Sequence, residues 1–408
     1  MELLCGLDIG TSKIRAVIAR NENGLPKICN VLSANVSGMR RGVIVDLTEV
    51  NKSLSKILGE VKQIEKRALK NIYVNIGSPD IKVQISQAAV GISNGSGEIS
   101  FEEVEKVKKL SDAINLGPNR EILHNIPQEF IIDGVGGIFD PVGLSGSRLE
   151  VKSLVVDIFS QYIVNLKKAV SLSGGRSKGF ILNSISSARS ALSKIQKELG
   201  VILIDLGAGT TSLAIYLENK LIHTKVLPIG SSNISGDIAI GLKIPYELAE
   251  KIKIEQGAAL AKEVSSKEKI DLSNFSKEEK NIIPKKFLAE IIEARLDEIF
   301  ELINKEIKMC GKNLELSSGA VFVGGGSKMR GLTNLAKEKL KLSCQIGTPL
   351  SEEFVFDENN EDAKNILNDP EYINVLGLVL WGSFYEKWLP SEKSITQKIK
   401  KMFSYFNP

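Results

Sequence analysis

The chain has 408 residues, 43% of them hydrophobic and 25% charged, and a formal net charge of +4. This is an ordinary globular composition, long enough for roughly two to three domain equivalents. Of that charge, +3 sits in residues 391–408 and only +1 in the other 390, so the body lacks the basic density of a nucleic-acid binder and no nucleic-acid partner is expected.

Four cysteines without CxxC spacing and two histidines exclude a disulfide framework, an ordinary zinc site and a His-rich metal site. No run of about 18 apolar residues occurs and the first ten residues carry no leader pattern, so a cytoplasmic protein without a spanning helix is expected.

The amino end reads as three strands, a helix and a strand. Apolar runs at 2–9 and 13–20 are joined by GTS, 28–36 alternates, and 42–46 is a short apolar piece; 47–69 has helical spacing and NIYVNI at 71–76 reads as a strand. Residues 82–160 are rich in strand signals around one helix at 101–115, with Val104, Val107, Leu110 and Ile114 on one face. Turn chemistry at Gly134, Gly136, Gly137, Pro141 and Gly143 completes an inserted α+β module. Strands at 201–207, 211–217 and 221–229 then repeat the opening order. LDIGTS at 7–12 matches IDLGAGTTS at 204–212, which places Asp8 and Asp205 at equivalent points of two related α/β halves. From 245 to about 315 the chain is mostly helical and charged, with an amphipathic stretch at 280–308. Residues 351–371 hold eight acidic residues against one lysine and are expected as a solvated loop.

Two of these turns carry chemistry together. GLDIGTSK at 6–13 ends a strand on Asp8 and turns through Gly10, Thr11 and Ser12 toward Lys13; such a hairpin can offer backbone N–H groups to phosphate while the carboxylate holds hydrated Mg²⁺. Alone it is equally an Asp-Gly turn in a plain hairpin. DLGAGTT at 205–211 supplies a second carboxylate, Asp205, with Gly207, Gly209, Thr210 and Thr211, and two such hairpins face to face would clamp phosphates from both sides. A third element, VFVGGGSKMRGL at 321–332, is strand, triple glycine (Gly324, Gly325, Gly326) with Lys328 close behind, and helix; it suits a flat or anionic ligand but fits neither a Rossmann nor a P-loop pattern. In ELAEKIKIEQG at 247–257, Glu250 and Lys253 share one helical face, as a surface ion pair or as ribose and base contacts.

At the carboxyl end, SEKSITQKIKKMFSYFNP places Ile395, Ile399, Met402, Phe403 and Phe406 within an arc of roughly 100°, flanked by Lys398, with Lys400 and Lys401 outside it. This reads as an amphipathic helix lying on anionic membrane lipid, with a terminal helix docked on the protein's own core as the alternative. Five large apolar side chains yield at most roughly 7–15 kcal/mol gross, and ordering the helix takes back much of it, so one tail binds modestly and several bind through avidity.

The order of phosphate hairpin, second hairpin, AExxKxxxG helix, GGG turn and C-terminal helix resembles the actin-like ATPase superfamily. Within it, GMRRGVIVDL at 38–47, ILHNIPQEFIIDG at 122–134 and IFDPVGLSGSRLEV at 138–151 are similar to the FtsA cell-division family. The resemblance covers essentially the whole chain. It implies an actin-like (ribonuclease H-like) two-half α/β fold around an ATP cleft: a first half at 1–81, continued by 161–193 and 372–389; an inserted subdomain at 82–160; a second half at 194–242, continued by 316–371; a helical subdomain at 243–315; and a tail at 390–408.

By the same resemblance, Asp8 and Asp205 organise Mg²⁺ through water, and Gly10, Thr11, Ser12 and Lys13 line the first phosphate hairpin. Gly207, Gly209, Thr210 and Thr211 line the second, with Gly230 near the phosphates. Glu250 and Lys253 contact ribose and base, and Gly324, Gly325, Gly326 and Lys328 close over adenosine. The implied function is a cell-division and septum-formation protein on the cytoplasmic face of the cell inner membrane at midcell. It polymerises as an actin-like filament, anchors the C-terminal peptide of FtsZ and recruits later division proteins through the inserted subdomain. Three departures from the family pattern, Ser212 after Thr211, Ser231 after Gly230 and Asn183-Ser184 before the second hairpin, imply slow or absent hydrolysis. A pilus-assembly type of actin-like scaffold and an actin-like sugar or acid kinase are the alternatives.

Overall fold

The computed structural model describes residues 3–22, 24–93, 95, 97–279, 281–311, 314–356 and 361–388. Its frame is two five-stranded sheets of the same topology. In the first, the antiparallel meander Leu3–Ile9, Lys13–Glu22 and Leu25–Asn35 is extended in parallel from Leu3–Ile9 by Ile72–Ile76 and then Ser177–Leu182. In the second, Val201–Leu206, Thr211–Leu217 and Lys220–Leu227 form the meander, extended in parallel by Ala320–Val323 and Cys344–Ile346. The internal repeat read from the sequence is therefore a repeat of architecture.

Burial explains why the two central strands read as unbroken apolar runs. Every residue of Leu3–Ile9 and of Val201–Leu206 is buried, as expected of strands covered on both faces. Helix Leu47–Glu65 packs on the first sheet through Val50, Leu54, Ile57, Leu58 and Val61, spaced at three and four. It starts where the Asp46 carboxylate accepts the N–H groups of Thr48 and Glu49 at 2.9 and 3.1 Å. One apolar core runs from the first sheet to the facing side of the second, including Leu203, Ala214, Val226 and Val321. The far side of the second sheet is covered by helices Ser231–Leu242, Tyr246–Gln256, Lys285–Met309 and Leu332–Leu340. Two helices cross at the junction of the halves: Asn183–Ala191, and Ile373–Trp388 at the end of the described chain.

The inserted region forms its own four-stranded antiparallel sheet, ordered Ile81–Gly91, Arg148–Phe159, Arg120–Ile132, Val135–Ile138, with helix Phe101–Leu110 over Val90, Phe130 and Leu149.

Three expectations need correction. The helix expected over 101–115 stops at Leu110, which is exposed: Ser111 turns its hydroxyl back to the Lys108 carbonyl, and Asn125 donates to Ser111 Oγ and Asp112, fixing a turn there. Among the described residues of 245–315, the α-helical parts are Tyr246–Gln256 and Lys285–Met309, with short 3-10 turns and a hairpin between them. Pro284 ends a small hairpin of Lys269–Asp271 with Ile282–Pro284 and sets the start of the long helix. The described parts of the acidic run, 351–356 and 361–371, are no solvated loop and do not pack wholly with the second half. Phe354, Ala363 and Ile366 are buried, and the Val355 backbone pairs with the first sheet's edge through Ile28 N–H and Pro26 O. Apolar residues between the acidic ones carry this packing, and net charge concealed them. Among the described residues no helix is long and apolar enough to cross a membrane.

Candidate functional site

The first and second hairpins meet at the mouth of a cleft of about 720 Å³ between the halves, a size suited to a small-molecule ligand. Both turns close alike: Gly10 N–H donates to Lys13 O at 3.0 Å, and Gly207 N–H to Thr210 O at 3.0 Å. They approach so closely that a Cβ on Gly209 would lie 2.6 Å from Thr11 Oγ1, so only glycine fits there. Thr11 Oγ1 in turn accepts the Gly42 N–H at 3.3 Å.

Of the residues singled out from the sequence, Asp8, Gly10, Thr11, Ser12, Lys13, Asp205, Gly207, Thr210, Glu250, Lys253, Gly324, Gly325, Gly326 and Lys328 line this cleft. Gly209, Thr211 and Gly230 stand behind it. Thr211 is wholly buried and donates its hydroxyl to Ile229 O at 2.8 Å, and Gly230 packs on the Gly207 and Ala208 carbonyls. Ile395, Lys398, Ile399, Lys400, Lys401, Met402, Phe403 and Phe406 lie outside the described residues.

The two carboxylates are both buried. Asp205 accepts from Ser187 Oγ at 3.0 Å, and burial, reinforced by the negative charge of Asp8, pushes its pKa up to about 7. Asp8 is raised as well by burial, against which Arg15 at 3.6 Å and the Asn374 amide at 3.0 Å favour the anion. Such a pair, unfavourable when both are charged, is a donor set a hydrated divalent cation would stabilise. Among the described residues no group of three or more His, Cys, Asp and Glu could grip a metal directly, so water would supply the remaining ligands.

Beside Asp205, at the end of the neighbouring strand, Gly324 holds φ +82°, and a Cβ there would meet Asp205 Oδ1 at 2.4 Å, so the triple glycine lets the turn pass directly over the carboxylate. Lys253 is buried and donates to Glu250 at 2.7 Å, Ser235 Oγ at 2.9 Å and Ser231 O at 3.1 Å. Burial lowers its pKa against the pull of Glu250. Its ammonium ties its own helix, Tyr246–Gln256, to the neighbouring Ser231–Leu242, and Glu250 presents the more accessible surface.

The family pattern described as "Cell division protein FtsA" matches residues 202–377, and that described as "SHS2 domain inserted in FTSA" matches 79–157. The "Cell division protein FtsA" of Borreliella burgdorferi is 33% identical over 98% of this chain and 95% of its own. The chain belongs to the FtsA family. Its fold is that of actin-like proteins: it resembles the solved PilM-PilN type IV pilus biogenesis complex (TM-score 0.67, 16% identity, 93% of this chain and 98% of that one). It also resembles MreB5 of Spiroplasma citri bound to ADP (TM-score 0.54, 14% identity, 95% and 98%).

For an FtsA-family cleft, four residues were missed by sequence reasoning. Arg15 lies two positions after Lys13 on one strand, so the period of two already placed them on one face. Asn75 accepts the Ile9 N–H at 2.7 Å and steadies the first hairpin's strand, but nothing local marks it. Asn374 and Glu371 reach the cleft from more than 350 residues away in sequence. Neither histidine takes part: buried His124 accepts Leu182 N–H at 3.1 Å with its pKa lowered by burial to about 4, and His223 pairs with Glu306 at 2.9 Å.

Proposed function

We propose that this chain is a cell-division protein that binds ATP and Mg²⁺ in the cleft and polymerises on the cytoplasmic face of the membrane at midcell. There it anchors FtsZ through the C-terminal FtsZ peptide and recruits later division proteins through the inserted module. The observation that carries the nucleotide reading is the contact of Gly209 with Thr11, which brings two identically closed hairpins and two buried carboxylates to one point. The glycine cradle and the water-ligand donor set fit a magnesium-bound polyphosphate.

In this reading the turn N–H groups and Thr11 and Ser12 hydroxyls orient the phosphates, Asp8 and Asp205 hold the metal's water shell, and Gly324 to Gly326 face the nucleoside. Bound Mg²⁺ supplies neutralisation of phosphate charge. Membership of the FtsA family supports the division role, and the basic apolar tail supports lateral attachment to anionic lipid.

The test is co-sedimentation of FtsZ with anionic liposomes in the presence of this protein. The full chain is expected to bring FtsZ down, an FtsZ lacking its C-terminal peptide to stay in solution, and a chain truncated before 391 to leave FtsZ in solution while still binding nucleotide. Recruitment by the truncated chain overturns the membrane reading.

A further inference from the structure

Glu371 puts one carboxylate against Lys13, expected at the ligand's phosphates, against Arg15, and against Lys328, which the family resemblance sets over the adenosine. It lies in the 3-10 turn Pro370–Tyr372, which leads directly into helix Ile373–Trp388. Glu371 Oε2 accepts from Lys13 Nζ at 3.3 Å and from Arg15, while Oε1 pairs with Lys328 Nζ at 3.2 Å. The carboxylate also lies against the glycine turn: a Cβ on Gly325 would be 3.4 Å from Glu371 Oε1. Gly324 N–H donates to Pro370 O at 2.9 Å, so the turn is seated on the same glycines.

The charges already balance. Lys13, Arg15 and Lys328 face Glu371, Asp8 at 3.6 Å from Arg15, and Asp369 at 2.7 Å from Lys328. The Glu371 and Arg15 side chains are 15% and 11% exposed, so their pair is poorly screened, whereas Lys13 and Lys328, at 44% and 43%, stay accessible to an entering ligand. Burial opposes its charge, but Arg15, Lys13 and Lys328 together hold its pKa down at about 2, so it is an anion throughout the physiological range. A polyphosphate entering this cleft meets cations that are already paired, and it gains from them only what the exchange of partners allows.

We propose that Glu371 is a built-in competitor for the phosphates: a polyphosphate binds by taking Lys13 and Lys328 from this carboxylate, which leaves the turn at the start of the last helix held by Arg15 and the Gly324–Pro370 bond alone. The inference rests on the nucleotide reading and adds to it a residue that sets affinity for the phosphate chain and leaves nucleoside affinity alone. Because this turn begins the helix that leads to residues 389–408, ligand exchange at Glu371 also connects the cleft to the carboxyl end.

The experiment is calorimetric titration of the full chain and of Glu371→Gln with the magnesium complex of AMPPNP, and separately with adenosine. Glu371→Gln keeps the shape and removes the charge. It is expected to bind Mg·AMPPNP roughly tenfold more tightly, the scale of one charge-assisted hydrogen bond, with adenosine affinity unchanged. Unchanged or weaker Mg·AMPPNP binding by the variant, with the unsubstituted chain binding normally, overturns the proposal alone. Absence of Mg·AMPPNP binding in the unsubstituted chain overturns the nucleotide reading and this inference with it. Should Glu371→Gln fail to fold, Glu371→Asp withdraws the charge by one methylene. The same selective tightening is expected there, and its absence overturns the proposal.

Discussion

Ser187 donates its hydroxyl hydrogen to Asp205 Oδ2 at 3.0 Å from inside a helix in which it is fully buried. Its neighbour Ser186 hydrogen-bonds Asn374, whose amide donates to Asp8 Oδ1 at 3.0 Å. Adjacent serines on one helix between the halves thus hold both cleft carboxylates, one directly and one through a relay. A hydrogen bond to a charged group contributes about 1.5–3 kcal/mol, so Ser187→Ala is expected to weaken Mg·ATP binding by about tenfold. Calorimetry on the folded variant checks this, and a change below twofold would show that Asp205 needs no such support.

Hydrolysis is expected to be slow. Asn75 Nδ2 donates to Asn183 Oδ1 at 3.1 Å in the cleft wall, and both are amides, which orient water without accepting its proton. Turnover is expected well below the roughly 1 per second that bounds ordinary enzymes. Asn183→Asp places a carboxylate beside the Asn75 donor and is expected to raise the rate by tenfold or more, within the about 10²–10⁴ available from a positioned base. Phosphate release under single-turnover conditions measures both, and brisk turnover by the unsubstituted chain would refute the argument.

The two hairpins were legible because each is a local pattern: an apolar run ending in Asp, then glycine and hydroxyl residues, repeated in the same order. Their meeting followed from the repeat, since equivalent turns of two similar sheets end at the same cleft. The limits of helices were less legible. Leu110 sits at the correct spacing for the buried face of its helix, but the competing bonds of Ser111 and Asn125 end the helix there. Glu371 was hidden most fully, because an acidic residue in an acidic run is indistinguishable from a solvated one. Its partners Lys13 and Arg15 lie at the other end of the chain, and only tertiary structure joins them.

Arg120 clamps the inserted module at the point where the chain enters and leaves it. Its guanidinium bonds the Asp157 carboxylate, Asp157 O at 3.1 Å, Asp80 O at 3.0 Å and both Asp80 carboxylate oxygens at 3.3 Å. The Arg120 and Asp157 side chains are 6% and 2% exposed. Arg120→Ala leaves Asp157 buried without its partner, a change that costs about 3–5 kcal/mol. The expected result is a lower urea midpoint and protease cutting within 82–160 before the rest of the chain. Arg120→Lys, which keeps the charge and loses the fork, is expected to fall between. Equal midpoints for all three chains would show that the sheet alone fixes the module.

Lys197 gives the fold a pH dependence of the same sign as acid denaturation, but in a neutral-to-alkaline window. The residue is 2% exposed on the short helix Lys194–Leu199, with its ammonium 5.1 Å from the centroid of the Tyr216 ring. Burial, with a smaller push from Arg189, lowers its pKa from 10.5 to about 7, against the pull of Glu353. Between pH 7 and 10.5 the unfolded chain therefore binds more protons at this site than the folded one, and stability from this group rises with pH through that window at up to about 1.4 kcal/mol per unit. Below pH 7 both states are protonated, and the cost of burying the cation is constant. Lys197→Met fills the same space without charge, so it is expected to raise the urea midpoint at pH 7 and to flatten its rise toward pH 10. Equal slopes for Lys197→Met and the unsubstituted chain would mean that Lys197 keeps its proton by reaching solvent or Glu353, and that the buried ammonium is paired after all.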